Sequence, residues 1–77
     1  MRYYFDMRDG EALCADEEGL ELSDRTAAAI EAANSLADMA RGLSRLDEPH
    51  RMAVEVRTSA GPVFRAAFIF DAAPLKR

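Results

Sequence analysis

Cys14 and His50 are the one thiol and the one imidazole in this 77-residue chain. They are therefore its sole candidates for thiol–imidazole chemistry. A nucleophilic pair needs thiol and base within hydrogen-bond reach, and a third group to orient the base. Cys14 sits between Leu13 and Ala15 in a short alternating segment, where a small buried thiol is ordinary. His50 follows Pro49 at the start of another segment and reads as an exposed loop residue. The pairing predicts no nucleophilic catalyst.

Asp6, Asp9, Glu11, Asp16, Glu17 and Glu18 crowd the first quarter of the chain. A calcium loop needs oxygen ligands at set intervals, a central glycine and a distal bidentate glutamate. The run Asp6-Met7-Arg8-Asp9-Gly10-Glu11 lacks that alternation and places Arg8 among the ligands. Asp16-Glu17-Glu18-Gly19 reads as a solvated turn. No glycine-rich phosphate loop, nucleophile elbow or helical H-E-x-x-H is present. The expectation is a non-enzymatic chain with no metal and no cofactor.

Tyr4, Arg8, Arg57 and Arg65 fall on one face of alternating segments, an arrangement that resembles a single-strand RNA platform. The face offers one aromatic, shares it with Asp6 and Glu55, and belongs to a chain of net charge −4. Nucleic-acid binders present a basic stripe that displaces counterions from phosphates. The charge balance argues against direct nucleic-acid binding. Cross-strand ion pairing is the simpler use of these residues.

The elements that position these side chains follow from periodicity. Arg2–Arg8 alternates with Tyr3, Phe5 and Met7 on one side, and Asp9-Gly10 is a hairpin signal. Glu11–Ala15 returns as a short strand, and Gly19 supplies the positive φ of a second turn. Leu20 and Leu22 are placed to tuck beneath a helix over about residues 23–46, capped by Ser23 or Asp24. Its predicted apolar half is Ile30, Ala33, Leu36, Ala37, Met39, Ala40, Leu43 and Leu46. Asp24, Glu31, Asn34, Asp38, Arg41 and Arg45 form the other half, and Pro49 stops the helix.

Arg51–Thr58 alternates again, with Met52, Val54 and Val56 inward. Ser59-Ala60-Gly61-Pro62 turns the chain into Val63–Asp71, with Phe64, Ala66, Phe68 and Phe70 on one face. The result is an α+β fold, a two-layer ββαββ arrangement of one amphipathic helix on a small antiparallel sheet. Phe5, Ile30, Leu36, Val54 and Phe68 are expected in the core, with residues 72–77 a frayed tail.

Length and composition make residues 1–77 a single small domain. Fifteen residues are alanine, so few side chains fill space well. A core of this size leaves roughly 3–5 kcal/mol without staples. One cysteine makes no internal disulfide, and homodimerisation is the remaining common remedy. With no secretory signal, no stretch of membrane-spanning length and a lone thiol, a cytoplasmic address is expected.

Tyr4–Gly10 (YFDMRDG), Asp16–Gly19 (DEEG) and the helical Ser35–Arg41 (SLADMAR), followed by EVRTSAGPVFRAAFIF, resemble a family of short alphaproteobacterial proteins catalogued as a domain of unknown function. The resemblance spans essentially the whole chain. It implies this fold and no assigned activity.

Charge is distributed unevenly: residues 1–24 carry a net −6 and residues 25–77 a net +2. The leading expectation is a small acidic protein-interaction module meeting a partner's basic surface through Asp9, Glu11, Asp16, Glu17, Glu18 and Glu21. Turns tolerate added ligand contacts without disturbing packing, which favours this surface over the outer sheet face. The alternative is a phage-type inhibitor of a nucleic-acid enzyme, such as a CRISPR effector, whose carboxylates stand in for phosphates.

Overall fold

A computed structural model describes residues 1–42 and 50–70 of the chain. Strand β1 (Arg2–Asp9) is followed by β2 (Ala12–Cys14), β3 (Leu20–Glu21), helix α1 (Arg25–Arg41), β4 (His50–Thr58) and β5 (Gly61–Phe70). All pairings are antiparallel, in the order β2-β1-β4-β5, with β3 on the same flank of β1 as β2. This is the α+β arrangement of one helix on a small antiparallel sheet that the periodicity predicts. Leu20–Glu21 was too short to read as a strand, and only its pairing with Arg2 and Tyr3 reveals it.

The turns follow their residues. Gly10, at φ +61°, and Glu11 join the paired Asp9 and Ala12 as a two-residue hairpin loop. Gly19 has φ +72°, and a Cβ there would sit 2.9 Å from the Tyr3 carbonyl oxygen and 3.0 Å from Tyr4. No other residue fits where the 15–19 turn presses against β1.

Asp24 caps α1, its side chain accepting from the Ala27 N–H at 2.9 Å. Ala28 and Ala32 are fully buried, with Leu36 and Met39 partly buried beside them. The predicted apolar half of the helix is therefore rotated. Ile30 is 60% exposed, and Ala33 and Ala37 are exposed as well. In an alanine-rich helix nearly every direction carries an apolar residue, so the wheel does not single out one face. The sheet selects the alanines, whose small side chains let the helix backbone approach closely. Leu43, Leu46, Arg45, Pro49 and the 72–77 tail lie outside the described residues.

The core lies between α1 and the middle strands: Tyr3, Phe5, Ala28, Ala32, Val54 and Val56 are buried in one cluster. Phe64, Phe68 and Phe70 share the predicted inner face of β5 but are only half-buried. Phe68 is thus a margin residue rather than a core one. Met7 shares the inner face yet is 38% exposed. Both departures have one cause: the helix covers β4 and its neighbours, leaving the two flanks of the sheet less protected.

These placements give opposite expectations for two residues the sequence pattern treats alike. Phe5→Ala costs about 3–5 kcal/mol, the usual range for deleting a buried phenylalanine. Ile30→Ala stays within about 0.5 kcal/mol of the parent, as exposed substitutions do. Denaturant titrations of both variants check the pair.

Candidate functional site

The turn at residues 15–19 is organised by one carboxylate. Asp16 Oδ2 accepts the Phe5 N–H at 3.1 Å, and its Oδ1 accepts the N–H groups of Glu18 and Gly19, each at 3.1 Å. The Asp16 N–H in turn donates to Asp6 Oδ1 at 2.9 Å. Arg57 closes the network from β4: its Nε donates to Asp6 Oδ2 and its Nη2 to the Asp16 carbonyl, both at 2.9 Å. The guanidinium also lies 4.6 Å from the centre of the Tyr4 ring.

Burial acts to raise the pKa of both acids. Hydrogen bonds outweigh it and hold both below the ordinary carboxylate range. At Asp6 these come from the Arg57 side chain and the Asp16 amide; at Asp16, from the amides of Phe5, Gly19 and Glu18, with the Arg57 charge adding to each.

The six acids predicted as a binding surface therefore divide. Asp16 is spent on the backbone and is a structural residue. Glu21 is exposed but paired to the N-terminal amine at 2.7 Å, with Arg2 Nε at 3.8 Å. Asp9 is exposed at the hairpin end of β1 and also makes an interaction. Glu11, Glu17 and Glu18 are exposed, and their side chains have no ion-pair or hydrogen-bond partner among the described residues. Arg2 instead donates to the Glu18 main-chain carbonyl at 2.7 Å, holding the turn and leaving the carboxylate outward.

Glu17 and Glu18 line an open cleft of about 470 Å³ between α1 and the β1–β2 flank. Phe5, Met7, Cys14 and Leu20 supply its apolar surface, and Glu31 and Ser35 face it from the helix. Cys14 is exposed here, contrary to the expectation of a buried thiol. It lies on a three-residue edge strand opposite Met7, beyond the reach of the helix. Met7 faces Val54 on β4, so the register sets His50 two strands and four residues from Cys14. At ~3.4 Å per residue that separates the two backbone positions by ~14 Å along the strands alone, so the register does not set Cys14 and His50 side by side. Among the described residues no three His, Cys, Asp or Glu side chains are grouped to hold a metal ion.

The outer sheet face resolves in the same way. Arg57 is committed to the Tyr4 ring and to the two aspartates, while Arg8 Nε meets Glu55 Oε2 at 3.3 Å. These are the cross-strand pairs expected of a solvated face. Arg65 has no ion-pair partner among the described residues. With Arg8 and Arg51 it borders a shallow hollow over Ala53, Ala67 and Ile69. Arg51 shares this face by the same alternation as Ala53, Glu55 and Arg57, and the register sets it opposite Ile69.

The lowered carboxyl values carry a definite pH sign. A group whose folded pKa is depressed stabilises the fold above its unfolded pKa, near 4, and that contribution is lost as pH falls through the folded value. Asp16→Asn removes the charge and leaves one carbonyl acceptor where two oxygens served three amides. It costs about 1–3 kcal/mol at neutral pH, with a shallower loss of stability below about pH 4 than the parent shows. Denaturant unfolding across the acid range measures both effects.

No helix among the described residues is long and apolar enough to cross a membrane. Neither the curated proteins nor the solved structures contain a significant match to the chain. A family model matches residues 2–69, from the first residue of β1 to the penultimate residue of β5, and by that match the chain belongs to the family described as Domain of unknown function (DUF6894).

Proposed function

We propose that this protein is a non-enzymatic interaction module that receives a basic, apolar-anchored segment of a partner protein in the cleft between α1 and the β1–β2 flank. The observation that carries the reading is the cleft itself: an exposed apolar surface of Met7, Leu20 and Cys14 bordered by Glu17, Glu18 and Glu31. An uncovered apolar surface with polar edges is the usual anatomy of a contact site. The acids select cationic side chains and speed encounter, while the apolar surface anchors them. Asp16 contributes by shaping the turn, and Glu11 lies outside the cleft lining, where it adds to the field.

Phosphate mimicry against a nucleic-acid enzyme draws less support. It requires an array of free carboxylates, and the contacts of Asp16, Glu21 and Asp9 reduce that array.

Peptides combining arginine or lysine with leucine or methionine, labelled for fluorescence anisotropy, test the reading against acidic and purely polar controls. The basic–apolar peptides bind, and more weakly as salt rises past physiological strength, where the screening length is about 8 Å. Reversing Glu17 and Glu18 to lysine weakens them by about tenfold or more without shifting the melting temperature. Leu20→Glu weakens them through the anchor. Binding untouched by both changes, or absent from every basic–apolar peptide, overturns the assignment.

A further inference from the structure

The outer face of the sheet gathers three arginines around two alanines. Ala53 and Ala67 sit opposite one another on β4 and β5. Arg51 is two residues from Ala53 along β4, Arg65 is two residues from Ala67 along β5, and Arg8 faces Ala53 directly from β1. Residues two apart on a strand share a face, so all three arginines stand on the same side as the alanine pair. Two residues of strand span ~7 Å, within the reach of an arginine side chain. Each arginine accordingly lines the hollow above the alanines. The pairing is regular here, because the bulge at Val63 lies beyond Arg65.

The charges at this hollow do not cancel. Arg51 and Arg65 are exposed and have no ion-pair partner among the described residues. Glu55 stands among them, opposite Arg65 and 3.3 Å from Arg8 Nε. Asp6, in the next row, is already held by Arg57 at 2.9 Å. Three guanidinium groups against one carboxylate leave two positive charges in surplus over a hollow of about 190 Å³. The surplus is local, since the chain as a whole carries −4. The alanine methyls leave the space between the guanidinium groups open, and Ile69, 65% exposed, offers an apolar contact at the margin.

We infer that this hollow binds a phosphoryl group, a phosphate monoester carried on a phosphorylated segment of a partner protein. Such a group carries about −1.5 to −2 at neutral pH, which matches the surplus. A single carboxylate leaves one of the two charges uncompensated. Planar guanidinium forks approaching from three sides give paired, charge-assisted hydrogen bonds to its oxygens. A nucleic acid would carry further phosphates onto an acid-rich chain with no basic stripe to receive them. The hollow is shallow and lacks the walls that enclose a small molecule. A peptide instead extends past it along the sheet and sets an apolar neighbour on Ile69. The site lies on the face opposite Phe5 and Val54, which pack beneath α1, and does not rest on the reading of the cleft.

Fluorescence anisotropy on the full chain tests the inference, with short peptides holding a central phosphoserine, phosphothreonine or phosphotyrosine among apolar residues. At least one binds more than ~tenfold tighter than its unphosphorylated form, and glutamate in place of the phosphorylated residue recovers little of the difference. Arg51→Gln and Arg65→Gln alter exposed positions and leave the melting temperature in place. Each weakens the phosphopeptide by roughly tenfold, as expected for a lost charge-assisted hydrogen bond. Arg41→Gln, at the end of α1, removes the same charge elsewhere and leaves binding unchanged. Phenyl phosphate offered alone competes only at far higher concentration. Binding that ignores the phosphoryl group, falls equally with Arg41→Gln, or is matched by phenyl phosphate alone overturns the inference. So does tighter capture of a single-stranded oligonucleotide, or of phosphoinositide vesicles, through Arg51 and Arg65.

Discussion

The Asp16 carboxylate is the contact on which the N-terminal third of this fold depends. A turn at residues 15–19 has little apolar surface of its own, and its amides need acceptors as it packs against β1. One side chain supplies them for Phe5, Glu18 and Gly19. Asp6 receives the Asp16 amide, and Arg57 spans both aspartates from the neighbouring strand. Charge-assisted hydrogen bonds of this kind exceed neutral ones in strength. The two carboxylates sit close enough to repel, and the guanidinium between them offsets that repulsion. Gly19 completes the arrangement, because its positive φ and missing side chain let the turn lie flat on Tyr3 and Tyr4.

Charge density and charge availability are therefore different properties. The stretch richest in acid carries the −6 of residues 1–24, yet several of its carboxylates are committed to amides, to the N-terminal amine or to arginine. Those left outward are positioned by the committed ones: Glu17 and Glu18 face the cleft because Asp16 holds the turn beneath them. The outer face inverts this pattern. Its arginines outnumber its acids, and Tyr4, Asp6 and Glu55 absorb Arg57 and Arg8.

A helix of seventeen residues cannot cover every strand of this sheet. Resting on Ala28 and Ala32, it lies close to the sheet over β4 and β5 and leaves apolar surface on both sides. Toward β1 the opening has acids beside it and an irregular apolar surface, suited to a foreign side chain. Toward β5 it is a backbone edge beneath an alanine flank, with a bulge near its start where the pairing with β4 skips Val63. One packing choice thus produces two surfaces of different character.

Period-two alternation with aromatic and β-branched residues determined β1, β4 and β5, and glycines placed the turns, because these signals are local and steric. Asp24 capped the helix for the same reason. The sequence also determined the acidic imbalance and the absence of recognised catalytic motifs. Tertiary structure decided which side of the helix is buried, since alanines in nearly every direction leave the wheel degenerate until a sheet selects one. It decided that Ile30 faces out, that Cys14 is exposed and that Phe68 lies at a margin, because burial depends on how far the covering helix extends. It alone showed β3, and it alone divided the acids into structural and outward-facing ones. Asp16 differs from Glu17 and Glu18 in having the backbone of another strand within reach, and that is a property of the fold rather than of the residue.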